Sequence, residues 1–218
     1  MTTIKAFNRS PQSGVSMIET MLVMPIMLII GFGIVQGGLV YQAQANLEYA
    51  ALMAARVGAS TSINVNQMAR EVAYRMQATS GIDGSDDDAV LGQLGNISVE
   101  VLNPTLEMFQ ACGEQPSFDT TDCYNPGRCE IPYFGQQFYD NQILACNGAS
   151  IQDANILRVR VTYRYNSGIP FVSNIRLVGE SNFPDGDNGT DITAVATVRM
   201  QSPARLTLAN YDSIYSAP

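Results

Sequence analysis

The chain contains no histidine and no tryptophan, and Lys5 is its single lysine. Without histidine, Ser-His-Asp and Cys-His catalysis are excluded, as is any histidine-ligated zinc site. Carboxylate-, lysine- or tyrosine-based chemistry remains open on composition, but no spacing points to it, and the chain reads as a non-enzyme. Positive charge is scarce, with 12 Lys and Arg against 20 Asp and Glu. Nucleic-acid binding depends on clustered Lys and Arg to neutralise phosphates, so an acidic chain is poorly suited to it. The same deficit weighs against docking on anionic lipid. Cysteine is sparse too: Cys112, Cys123, Cys129 and Cys146 include no C-x-x-C pair, which argues against a zinc or thioredoxin-type site.

One absence is local. No charged residue stands between Glu19 and Glu48, and the first half of that interval reads MLVMPIMLIIGFGIV. A helix needs about 20 apolar residues to cross a hydrocarbon core, which Val15 to roughly Gln36 supplies. A secretory signal has a shorter apolar core ending in a small-residue cleavage site, and this run has neither property. Lys5 and Arg9 flank its amino end, so the positive-inside rule places residues 1–14 in the cytoplasm and the body outside. In a Gram-negative cell that is an inner-membrane, single-pass topology with a periplasmic head. Pro25 falls inside the apolar helix, where it removes one backbone hydrogen bond, a loss that membrane helices tolerate. Gly31, Gly33, Gly37 and Gly38 offer places for a second helix to approach closely. Glu19 lies at the mouth of the helix. A carboxylate costs roughly 2.5–3.5 kcal/mol at a bilayer centre on insertion scales, so an acid in this position calls for a function.

An even number of cysteines in a segment held outside the cytoplasm reads as two disulfides, with three pairings open. Beyond the membrane the helical pattern continues through Leu47, Ala50, Ala51, Ala54 and Val57, and GASTS at 58–62 reads as a break. Asn64 or Asn66 is placed to cap a second helix with Met68, Val72 and Met76 in one stripe. Three segments then alternate with period two. Their apolar faces are Ile97, Val99, Val101; Leu157, Val159, Val161, Tyr163, Tyr165; and Ile192, Ala194, Ala196, Val198, Met200. Arg158, Arg160 and Arg164 fall on the opposite, wet face, with Glu100 as a cross-strand partner. The expectation is an α+β chain: a cytoplasmic leader at 1–14, a transmembrane and extended helix at 15–60, and a head at 61–218. In that head an antiparallel sheet packs on helices, and a loop at 103–150 bears the disulfides. The best metal candidates are Asp185, Asp187 and Asp191 in a DGDNGTD turn, where alternate oxygen ligands suit calcium. The turn lacks the full EF-hand order, and no cofactor is expected.

Residues 10–60 resemble the TadE-like minor pilins, or pseudopilins, of tight-adherence type IV pilus systems. The likeness rests on Gly14, Glu19 five positions on, Pro25 in the apolar run, GFGIVQGG, and the ending Ala54-Ala55-Arg56-Val57-Gly58-Ala59. Thr20 stands where many relatives carry an aromatic residue, and Gln36 where many carry an acid. The resemblance implies cleavage between Gly14 and Val15 by a membrane prepilin peptidase. It also implies assembly with other pilins and pseudopilins through the amino-terminal helix, and contact with a pilus assembly platform. A different expectation also fits the residues: an uncleaved, membrane-tethered binding or adhesion domain whose recognition surface is the cysteine-stapled loop.

Overall fold

The computed structural model of the chain describes residues 17–80, 87–116, 121–165 and 190–214. Helix α1 spans Met17–Ser60, 44 residues, and runs through Pro25 without a break. Its burial changes along its length. Residues 17–35 are exposed, whereas Ala43, Leu47, Ala50, Ala51, Ala54, Ala55 and Ala59 are buried against the rest of the chain. The alanines suit both demands on this half: high helix propensity, and side chains small enough for close packing. The helix runs three residues into GASTS, to Ser60, before it ends. It then turns through Ser62 and Ile63, which adopt left-handed φ values of 56° and 65°.

Helix α2 (Val65–Ser80) folds back on α1. Asn64 caps it, its Oδ1 accepting from the Gln67 N–H at 3.1 Å. The Met68, Val72, Met76 stripe is fully inside, as its spacing requires. Gly58 marks where three elements meet: a Cβ there would lie 2.5 Å from Met68 Sδ and 3.1 Å from Leu157 Cδ2. A short α3 (Asp87–Leu91) follows, and the Tyr74 hydroxyl donates to Asp87 Oδ1 at 3.0 Å. That hydrogen bond to a carboxylate raises the Tyr74 pKa.

Strands β1 (Ile97–Asn103), β2 (Ile156–Tyr165) and β3 (Thr190–Arg199) form one antiparallel sheet in the order β1-β2-β3. The register aligns Ile97–Tyr163–Ile192, Val99–Val161–Ala194 and Val101–Val159–Ala196 in rows. These rows form the buried face, against which the second half of α1 lies. Gln44 Nε2 donates to Thr193 O at 2.8 Å, and the N–H groups of Gln201 and Ser202 both donate to Ala59 O at 2.9 Å. Helix α1 and β3 therefore run in the same direction. On the other face, Arg160 meets Glu100 at 2.8 Å, as the alternation implies. Arg164 departs from it. Thr162 and Arg164 are only 3% and 4% exposed, so the last turn of β2 is covered on both faces. Arg164 lies there beside its cross-strand neighbour Asp191, 4.0 Å away, the opposite charge that a buried guanidinium needs.

Helix α4 (Leu106–Cys112) is capped by Thr105 and buries Phe109, and α5 (Ile151–Ala154) opens on a Ser150/Asp153 capping box. Between them the described chain has no regular element beyond a 3-10 turn at Gln136–Phe138. Polar side chains hold this stretch instead. Asn155 Nδ2 donates to Pro132 O at 2.8 Å, and Gln152 Nε2 donates to the carbonyls of Gln136 and Tyr139, each at 2.9 Å. Residues 200–214 then strap the head together. Ser202 Oγ bonds Ala59 O, Asn210 Nδ2 bonds Ile63 O at 3.0 Å, and Arg205 meets Glu130 at 2.9 Å.

Candidate functional site

The exposed half of α1 is long and apolar enough to cross a membrane, and none of that window is buried. By length and composition it is the one candidate membrane anchor among the described residues. Glu19 lies in its first turn, exposed, where a carboxylate also complements the positive end of the helix dipole. Gly14 and Val15 lie outside the described residues. Thr20 returns its hydroxyl to Met17 O at 2.9 Å, closing the polar edge of this turn on itself.

Above Glu19 the surface is apolar and, in places, flat. A Cβ added at Gly31, Gly33, Gly37 or Gly38 would meet nothing within 4 Å. The glycines thus leave open surface rather than relieve an internal clash. Gly33 and Gly37 are four residues apart and share a helix face, the spacing that lets two membrane helices approach closely. Gly37 also stands five full turns above Glu19, about 27 Å along the same line of the helix. Both relations are legible in the sequence, but reading the four glycines as one group hides them. Gln36 is the first buried residue of α1, and its Oε1 has no hydrogen-bond partner among the described residues.

The four cysteines form two disulfides, Cys112–Cys146 and Cys123–Cys129, with Cα separations of 4.9 and 5.7 Å. Of the three pairings open on sequence, this one ties the end of α4 to the chain just before α5. It also closes a small ring beside the Glu130–Arg205 pair. Asp185 and Asp187 lie outside the described residues. Asp191 sits in β3 with its carboxylate turned to Arg164, and no group of three or more acidic or cysteine side chains is gathered for a metal among the described residues. Burial raises the pKa of Tyr163, with Tyr165 adding to the effect; nothing links either ring to a reaction.

The family model described as TadE-like protein matches residues 14–56. The chain carries the TadE-like segment. The match begins at Gly14, takes in Glu19 and Pro25, and stops four residues short of the end of α1. It therefore covers the helix and none of the head beyond it. No curated protein and no solved structure matches the chain.

Proposed function

We propose that the chain is a minor pilin or pseudopilin of a tight-adherence type IV pilus system, a structural part rather than an enzyme. One observation carries this reading: the TadE-like match falls on a continuous helix whose first half is bare and apolar and whose second half is the core of a folded head. Such a helix is built to be covered by other helices, first in the inner membrane and then in an assembly. Residues 1–14 stay in the cytoplasm and the head lies in the periplasm. A membrane prepilin peptidase hydrolyses the Gly14–Val15 bond, for which Gly14 suits a narrow active site because it has no side chain. The freed amine of Val15 stands four residues before Glu19 in the sequence, the spacing of about one helical turn. In an assembly the amine of one chain and the Glu19 carboxylate of another compensate each other, since a paired charge is far cheaper in apolar surroundings than a lone one. Gly33 and Gly37, in line with Glu19, let the neighbouring helix approach along that same face. The partners are thus other pilins and pseudopilins, the peptidase and the assembly platform.

The test is an intact mass with amino-terminal sequencing of the protein taken from membranes of its own host. A chain beginning at Val15 is expected. A chain beginning at Met1 or Thr2 in the presence of active peptidase overturns the reading, and leaves a tethered periplasmic binding domain in its place.

A further inference from the structure

The sheet has two edges, and among the described residues only one of them is closed. On β1 the register shifts between Val101 and Asn103, Pro104 follows, and Ile214 from the last strap forms a parallel bridge with Val101. A bulge, a proline and a covering segment are common ways to blunt an edge. The β3 edge has none of them. It pairs with β2 along all ten of its residues without a shift, and it contains no proline and no lysine. Its charges stand near its ends, at Asp191 and Arg199. Between them Thr193, Val195 and Thr197 lie exposed on the open face of the sheet, Val195 to 50%.

Hydrogen bonds fix which backbone groups of β3 face out. The Met200 N–H donates to Asn155 O at 3.0 Å, and in this register the even-numbered residues of β3 turn toward β2 and the odd-numbered ones outward. Thr193 agrees, because its carbonyl accepts from Gln44 Nε2 of α1 at 2.8 Å. The N–H and C=O groups of Val195 and Thr197 have no protein partner among the described residues. Backbone donors and acceptors that recur at every second residue, about 7 Å apart, are a template for one more strand. They select the main chain of the occupant, since only an extended segment matches that spacing.

Topology selects the source of that strand. Helix α1 and β3 run in the same direction, so two copies anchored in one membrane point their β3 strands the same way, and those edges cannot pair antiparallel. The other edge of a second copy, β1, also runs with β3 and is bridged by Ile214. Both pairings already in the sheet are antiparallel, the slightly more stable form per residue. We infer that the edge of β3 at 193–199 accepts an extended strand of another protein, running antiparallel to β3. Opposite Thr193, Val195 and Thr197 that strand carries uncharged, β-branched side chains, which are favourable cross-strand neighbours. The exclusion of a second copy rests on the membrane-anchor reading. The open edge itself does not, since β3 lies outside the TadE-like segment.

The test uses the full chain in membranes of its host, with a photoreactive phenylalanine analogue at Val195 and, separately, at Arg199. Both positions are expected to join one other protein, with the two attachment points in reverse order along its sequence. That protein is then purified and added to the full chain in detergent, and amide exchange is followed residue by residue. The Val195 and Thr197 amides are expected to exchange freely in the chain alone and about tenfold or more slowly in the complex, while Ala194, Ala196 and Val198 stay protected in both. Thr197→Pro deletes an outward N–H and no bond between β2 and β3, so it is expected to weaken binding about tenfold with the sheet intact. Thr197→Val keeps that N–H and should bind within about twofold of the original. The exchange measurement uses the unaltered chain, so it decides the matter even where the proline variant fails to fold. Adducts only to a second copy, only to lipid or to nothing overturn the inference, as do attachment points in the same order. A complex in which the Val195 and Thr197 amides still exchange freely overturns it too, as does a folded Thr197→Pro chain that binds normally. Processing at Gly14 is read separately, so failure here leaves the pilin reading standing, and the reverse.

Discussion

Asn210 shows how single residues hold this head. It is buried, donates to Ile63 O at 3.0 Å and Arg205 O at 2.8 Å, and accepts from the Thr207 N–H at 2.8 Å. It thereby fixes the left-handed corner at Ser62 and Ile63 to the last strap of chain. Asn210→Ala leaves those groups buried and unpaired, and is expected to cost about 1–3 kcal/mol in denaturant unfolding of the detergent-solubilised protein. Asn210→Asp should cost more, because a carboxylate cannot donate to two carbonyls. Tyr163 gives a pH signature. Its raised pKa means that the folded state favours the neutral phenol, so its contribution is intact below the ordinary tyrosine pKa and falls away as alkaline pH passes through the raised one. Tyr163→Phe should remove that alkaline loss, read as a flatter stability profile above pH ~10. Neither role is legible in the sequence: an asparagine in a loop and a tyrosine in a strand look ordinary until their neighbours are known. The cap of α2 is different, since the position just ahead of the Met68, Val72, Met76 stripe already narrows it to Asn64 or Asn66, and the structure uses Asn64. Arg164 misleads, because alternation assigns it to solvent and the structure buries it beside Asp191.

Elements with a period were readable and those without one were not. The three strands emerge from alternation alone, and keeping the buried rows on the face toward α1 excludes a one-residue slip of their register. The stretch from Gly113 to Ser150 has no period to read, and its order comes from disulfides and side-chain amides, whose pairing sequence leaves open. The two bridges should differ in weight. Cys112 and Cys146 are 34 residues apart and Cys123 and Cys129 only 6. On loop-closure entropy the first contributes about 3–4 kcal/mol and the second about 2 kcal/mol. Replacing each pair by serine should therefore lower the denaturation midpoint more for the 112–146 pair. The α1–α2 contact offers a second check at this scale. Gly58→Val would drive a side chain into Met68 and Leu157, and the overpacking should cost about 1–3 kcal/mol or more.

At the scale of the whole molecule, α1 performs two tasks that the sequence separates by charge and side-chain size rather than by any break. Its lower half packs on none of the described residues, while its upper half, from Ala43, is the centre of the head core. The boundary between anchor and head therefore falls inside the helix near residue 40, not at its end. A pull on the membrane half is transmitted to the sheet through continuous backbone, which suits a subunit drawn out of a bilayer into an assembly. The division predicts the outcome of two truncations. A chain starting at Gly38, placed behind a cleavable export signal, loses the bare apolar half and keeps every buried alanine, so it should be recovered as a soluble, folded head with both disulfides. A chain starting at Thr61 loses Leu47 and the alanine face, exposes the rows of β1–β3, and should fail to fold or aggregate. Circular dichroism and thiol counting after periplasmic expression distinguish the two. A folded head from the second truncation would show that the upper helix is only a stalk, and would move the boundary to Ser60.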